Sequence, residues 1–149
     1  MLTMPQSTSR LAAQATTHCL TGCAIGEILG VVIATALGLA IVPGLVLAIT
    51  LAFVFGYAFT VIPLVRNGMA ARRAVSTALV ADTASIVTME AVDNGFALAV
   101  PGAMDAGIGD PLFWGALVIG LAVAWPITFL VNRWLIGRGL GHALVHGAH

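Results

Sequence analysis

Four long apolar runs, each sufficient for the roughly 20 helical residues that cross a bilayer core, take up most of this 149-residue chain. Clusters of Pro, Gly, Arg or Asp separate them. With 60% hydrophobic and 8% charged residues, the chain has too little polar surface for a soluble domain. The reading is an all-α polytopic membrane protein with four transmembrane helices, at about residues 17–42, 45–65, 74–100 and 112–136. A short polar N-terminal lead-in over about 1–16 precedes them, and a His-containing tail over about 137–149 follows. Neither an enzyme nor a nucleotide- or nucleic-acid-binding protein is expected. The chain has no nucleophilic triad, phosphate-binding glycine loop or dinucleotide fingerprint, and its spans leave little room for a soluble domain.

Every cationic side chain except histidine is an arginine, and their placement sets the topology. Arg10 precedes the first span, Arg66, Arg72 and Arg73 lie between the second and third, and Arg133 and Arg138 flank the end of the fourth. By the positive-inside rule both termini and the central connection are cytoplasmic.

The first span opens with His18-Cys19-Leu20-Thr21-Gly22-Cys23-Ala24-Ile25-Gly26-Glu27. Ionisable groups in lipid are expensive and face a bundle interior or a wet cavity. Cys19 and Cys23 lie one helical turn apart near the cytoplasmic end, so reduced thiols are expected rather than a disulfide. Thiolate and imidazole ligands select Cu(I) or Zn, which makes His18, Cys19, Cys23, Glu27 and Asp82 candidate metal ligands. The remaining ligands would come from another helix, another subunit, or His142 and His146 of the tail. The plainer alternative takes Cys19 and Cys23 as small apolar residues at a helix contact, and the tail histidines as groups that merely titrate.

Beside these residues, Gly22, Gly26, Gly30, Ala34 and Gly38 recur at a spacing of four, a small-residue ridge that admits another backbone. Its partner is either another span or another subunit, and with so little interior available to four helices a homo-oligomer is expected. Pro43-Gly44 predicts a tight outer turn between spans one and two. Span two reads as scaffold.

Span three carries Asp82, Ser85, Met89 and Asp93 on one face with Glu90 on its flank, so this stripe is expected to point inward. Counting residues from the cytoplasmic side sets Cys23 level with Asp82 and Glu27 level with Ser85. On that register the His, Cys and carboxyl groups of spans one and three form a column, with Ser85, Glu90 and Asp93 as an ion or proton pathway. Glu90 and Asp93 repel if both ionise, so one is expected to hold a proton or a cation. Structural alternatives are a hydrated vestibule at Glu90 and Asp93, and an ion pair between Asp82 and Arg133.

The patterns His18-Cys19-x-x-Gly22-Cys23-x-x-Gly26-Glu27, Asp82-x-x-Ser85-x-x-x-x-Glu90-x-x-Asp93-Asn94, Pro101-Gly102-Ala103-Met104-Asp105 and Asn132-Arg133-Trp134-Leu135-Ile136 resemble the bacterial membrane family called domain of unknown function 4396. The resemblance implies a small four-helix bacterial membrane protein, multi-pass in the inner (cytoplasmic) membrane, and carries no activity with it. The function expected from the residues is binding or translocation of a soft or borderline metal cation, Cu or Zn. Two rival expectations stand beside it: a proton-coupled small-solute carrier or channel, and an accessory membrane subunit without transport. Expected partners are the lipid bilayer and further copies of the chain.

Overall fold

The computed structural model describes residues 7–138, and the tail histidines His142, His146 and His149 lie outside the described residues. Four helices make up the fold: α1 (Thr8–Ala36), α2 (Ile41–Arg66), α3 (Ala71–Ala99) and α4 (Pro111–Gly137). A single 3-10 turn (Ala103–Asp105) lies between α3 and α4. Each helix is long and apolar enough to cross a membrane.

The helices start and stop for local reasons. Ser7 caps α1, its Oγ accepting from the Arg10 N–H at 3.3 Å. Helix α1 therefore begins at Thr8, well before the expected start near residue 17, and buries Ala12, Ala15 and Thr16 of the polar lead-in. At its other end Gly38 adopts φ +65°, with the Gly38 N–H bonded to Thr35 O and the Leu39 N–H to Ala34 O. That is a Schellman stop, and Asn67-Gly68-Met69 repeats it after α2, with Gly68 at φ +96°.

Two expectations are corrected by the first of these stops. The α1–α2 turn is at Leu37–Ala40, and Pro43-Gly44 lies inside α2, because proline is tolerated in a first turn whose N–H groups lack intrahelical partners. Gly38 is a turn residue on which a Cβ would meet nothing within 4 Å, so it leaves the small-residue ridge. Helix α4 starts on Asp110, whose Oδ1 accepts from the Leu112 N–H at 2.9 Å, with Pro111 at the first helical position.

Each helix packs on its sequence neighbour and α4 closes back on α1, which leaves α1 and α3 diagonal across the bundle. The ridge of α1 faces α2. A Cβ on Gly26 would reach the Leu51 carbonyl oxygen and come within 2.7 Å of Ala52 Cα, and one on Gly22 would lie 3.1 Å from Gly56 Cα. Gly30 meets Ala48, and Ala34 meets Gly44. Helix α2 answers with its own row, Ala48, Ala52, Gly56 and Thr60, all buried. The ridge is thus used within one chain and no longer argues for a second copy.

The antiparallel order gathers Arg10, Arg66, Arg72, Arg73, Arg133 and Arg138 at one end of the bundle. Large aliphatic residues such as Val54, Val80, Val118 and Leu130 cover the outer faces, where acyl chains replace the contacts that a soluble protein makes inside.

Candidate functional site

Along the bundle axis the interior has three layers. Nearest the arginine end, Asn132 of α4 ties α1 to α3: its Nδ2 donates to Thr16 Oγ1 at 3.0 Å and its Oδ1 accepts from the Ser85 hydroxyl. Thr16 in turn donates to Ala12 O at 2.7 Å. Asp82, 1% exposed, lies beside the Thr60 hydroxyl of α2. Arg133, expected as an alternative ion-pair partner of Asp82, is an exposed residue of α4.

The middle layer is an apolar plug to which all four helices contribute: Cys19 and Cys23, Ala52, Ile86 and Met89, and Ala124. The two sulfurs are 3.9 Å apart and both thiols are free and buried. His18 turns away from them, its ring edge-on to Phe59 at 5.5 Å.

Above the plug, towards the end without arginine, lie three carboxyls. Glu27 of α1 and Asp93 of α3 are within hydrogen-bonding range of each other, with Glu90 close enough to act on both. Asn94 donates to Glu90 Oε2 at 3.0 Å. Glu27 is 9% exposed, Glu90 6% and Asp93 2%. Gly120 of α4 makes room for this cluster, since a Cβ there would collide with Asp93 Oδ1. Glu27 Oε2 and Asp93 Oδ1 have no hydrogen-bond partner among the described residues.

Those two acids form the floor of a cavity of about 630 Å³ that extends to the Ala103–Gly107 connection. Its walls are aliphatic or small, with Val31 and Ala34 from α1, Leu45 from α2, and Ala116 and Leu117 from α4. Asp105 and Thr35 add the only other polar side chains among the described lining residues, and no Arg or His is included.

Of the column expected from His18, Cys19, Cys23, Glu27 and Asp82, Cys23 lies close enough to Glu27 and Glu90 for their charges to act on it. His18 is against α2, the thiols are in the plug, Glu27 is in the cavity floor and Asp82 is on the arginine side of the plug. Glu27 faces Asp93, eight positions beyond Ser85 on α3, a displacement of about 12 Å along the axis. The expected register counted from a start near residue 17, whereas α1 begins at Thr8 and its depth is set by its packing on α2. Among the described residues no group of three or more His, Cys, Asp or Glu is placed to hold a metal ion. Sequence reasoning gave no role to Thr16, Thr60, Gly120 or Asn132. An asparagine inside an apolar span is itself a signal that the group has a buried partner.

Fold and site together define a multi-pass four-helix membrane protein with a carboxyl-floored cavity at its arginine-free end. The chain belongs to the family described as Domain of unknown function (DUF4396), whose model matches residues 8–141. No curated protein and no solved structure matches the chain.

Proposed function

We propose that this protein is a proton-coupled carrier of a small solute, with Glu27 and Asp93 as the groups that exchange protons and the cavity above them as the solute site. One observation carries the reading: two carboxyls buried at the base of a membrane-embedded cavity, each with an oxygen lacking a partner among the described residues. Burying ionised carboxylates without a counter-charge is prohibitive, so the pair exists with a proton, a cation or both. Glu90 adds a third negative group from α3 and Asp105 a fourth at the connection, whereas α2 and α4 contribute no titratable side chain to the lining among the described residues. With the arginine end cytoplasmic, the cavity opens outward, and the plug of Cys19, Cys23, Ile86 and Met89 separates it from the Asp82 side.

A hydrophobic carbodiimide, which reacts with protonated carboxyls in apolar surroundings, tests this on the purified protein. Modification is expected at Glu27 or Asp93 by peptide mass spectrometry, decreasing as pH rises because the reactive acid form is lost. No modification of either residue at any pH where the protein stays folded would reject the carrier.

The sulfur pair favours a second reading, a soft-metal protein that holds Cu(I) between Cys19 and Cys23, for which a spacing of 3.9 Å is short enough to share one ion. Elemental mass spectrometry separates the two. Copper or zinc retained by the wild type and lost from Cys19→Ser/Cys23→Ser supports the metal, and a metal-free wild type after loading under reducing conditions removes it.

A further inference from the structure

We infer that the solute is a lipophilic monovalent organic cation, a bulky ammonium or phosphonium whose charge sits on Glu27 and Asp93 and whose hydrocarbon fills the cavity. The inference rests on the carrier reading above. Three features of the cavity lead to it, and they are independent of one another.

The first is size. At about 630 Å³ the cavity has the capacity of roughly 20 water molecules and falls within the ordinary range for organic ligands. A proton or a dehydrated metal ion has no use for such a volume. The space exists because small side chains line it where larger ones would close the bundle, among them Ala34, Gly44, Ala97, Ala106 and Ala116.

The second is the wall. Val31, Leu45, Phe113 and Leu117 offer aliphatic and aromatic surface, and Thr35 is the only hydroxyl among the described lining residues. A sugar or polyol entering here would give up its water for almost no hydrogen bonds, a loss that excludes it. Hydrocarbon loses nothing by the same move.

The third is charge. Glu27 and Asp93 at the base and Asp105 at the connection are all acidic, and no basic side chain lines the cavity among the described residues. Anions are repelled from entry to floor. A phospholipid presents suitable chains, but its phosphate would meet carboxyls. A single positive charge beside hydrocarbon satisfies both the floor and the wall. It also competes directly with a proton for the same two carboxyls, which is the linkage a carrier of this class needs.

Tetraphenylphosphonium is the probe, measured by equilibrium dialysis against the full chain in detergent micelles. Saturable binding is expected, with neutral triphenylphosphine oxide binding not at all. Binding should weaken about tenfold or more in Glu27→Gln and in Asp93→Asn, as when one partner of a desolvated charge pair is removed. Val31→Trp narrows the cavity from a half-buried wall position and leaves both acids in place, and it should also weaken binding while carbodiimide still modifies Glu27. The phosphonium should protect Glu27 from the reagent in the wild type. If carbodiimide modifies Glu27 but the phosphonium neither binds nor protects, the organic-cation inference falls and the carrier reading stands. If neither acid is modified, both fall. Equal binding by wild type and Glu27→Gln, or a stoichiometric co-purified phospholipid that blocks the probe, would likewise overturn the inference.

Discussion

At the scale of single residues, the site depends on a pairing between a side chain and its absence. Asp93 projects into the space left by Gly120, and any Cβ there would collide with its carboxyl oxygen. Gly120→Ala therefore forces Asp93 from the cavity floor or parts α3 from α4, and overpacking of this kind costs about 1–3 kcal/mol. A lower melting temperature in detergent is expected, together with reduced carbodiimide modification at Asp93. An unchanged melting temperature and unchanged reactivity would mean that the Gly120 contact is not tight. The Asn132 bridge is a second such dependency but a weaker one. Hydrogen bonds between membrane helices average about 0.6 kcal/mol, so its bonds to Thr16 and Ser85 together supply about 1 kcal/mol. Its larger contribution is to fix the rotation of α4 relative to α1 and α3.

At the scale of helices, α1 and α2 form one unit through two facing rows of small residues. No hydrophobic effect drives helices together inside lipid, so close backbone approach has to supply the attraction. Gly26→Ala would push a methyl group into the Leu51 carbonyl and the Ala52 backbone, neither of which yields as a flexible side chain does. Loss of about 1–3 kcal/mol is expected from thermal or denaturant unfolding in detergent. Gly95→Ala on α3 is the control, since nothing lies within 4 Å of its added methyl. It should be neutral or stabilising by about 0.5–1 kcal/mol, through helix propensity alone. Similar losses in the two variants would show that the α1–α2 interface is looser than these contacts.

At the scale of the whole molecule, charge asymmetry and cavity placement become one statement about direction. All six arginines lie at the end opposite the cavity. The positive-inside rule predicts that the arginine-rich end stays in the cytoplasm, and on that orientation the cavity and its two acids are expected to face outward. Single cysteines introduced as Gly109→Cys and Ser9→Cys, in a background of Cys19→Ser/Cys23→Ser, report the orientation. A membrane-impermeant maleimide should label Gly109→Cys in intact cells and Ser9→Cys only after permeabilisation. The opposite pattern would invert the topology and make the cavity an inward-facing one.

Hydropathy alone determined that four helices exist and that they belong in lipid, because burial in a bilayer is a property of each segment by itself. The inward stripe of α3 was equally legible, since Asp82, Ser85, Met89, Glu90 and Asp93 share a face on any helix. Depth was not legible. Whether Glu27 meets Ser85 or Asp93 depends on how far α1 is displaced along α3, which hydropathy does not encode and which its close packing on α2 sets. The α1 ridge was visible as a ridge, but its partner was not, since a row of small residues fits any complementary backbone and only packing showed that α2 carries one. The cavity was invisible for a related reason. It is empty space bounded by alanines, glycines and a few aliphatics from all four helices, and each of those residues in isolation reads as ordinary membrane sequence. A segment's affinity for lipid is additive along the chain, whereas a cavity and the carboxyls beneath it depend on how four helices are displaced and rotated against one another, which only the tertiary structure decides.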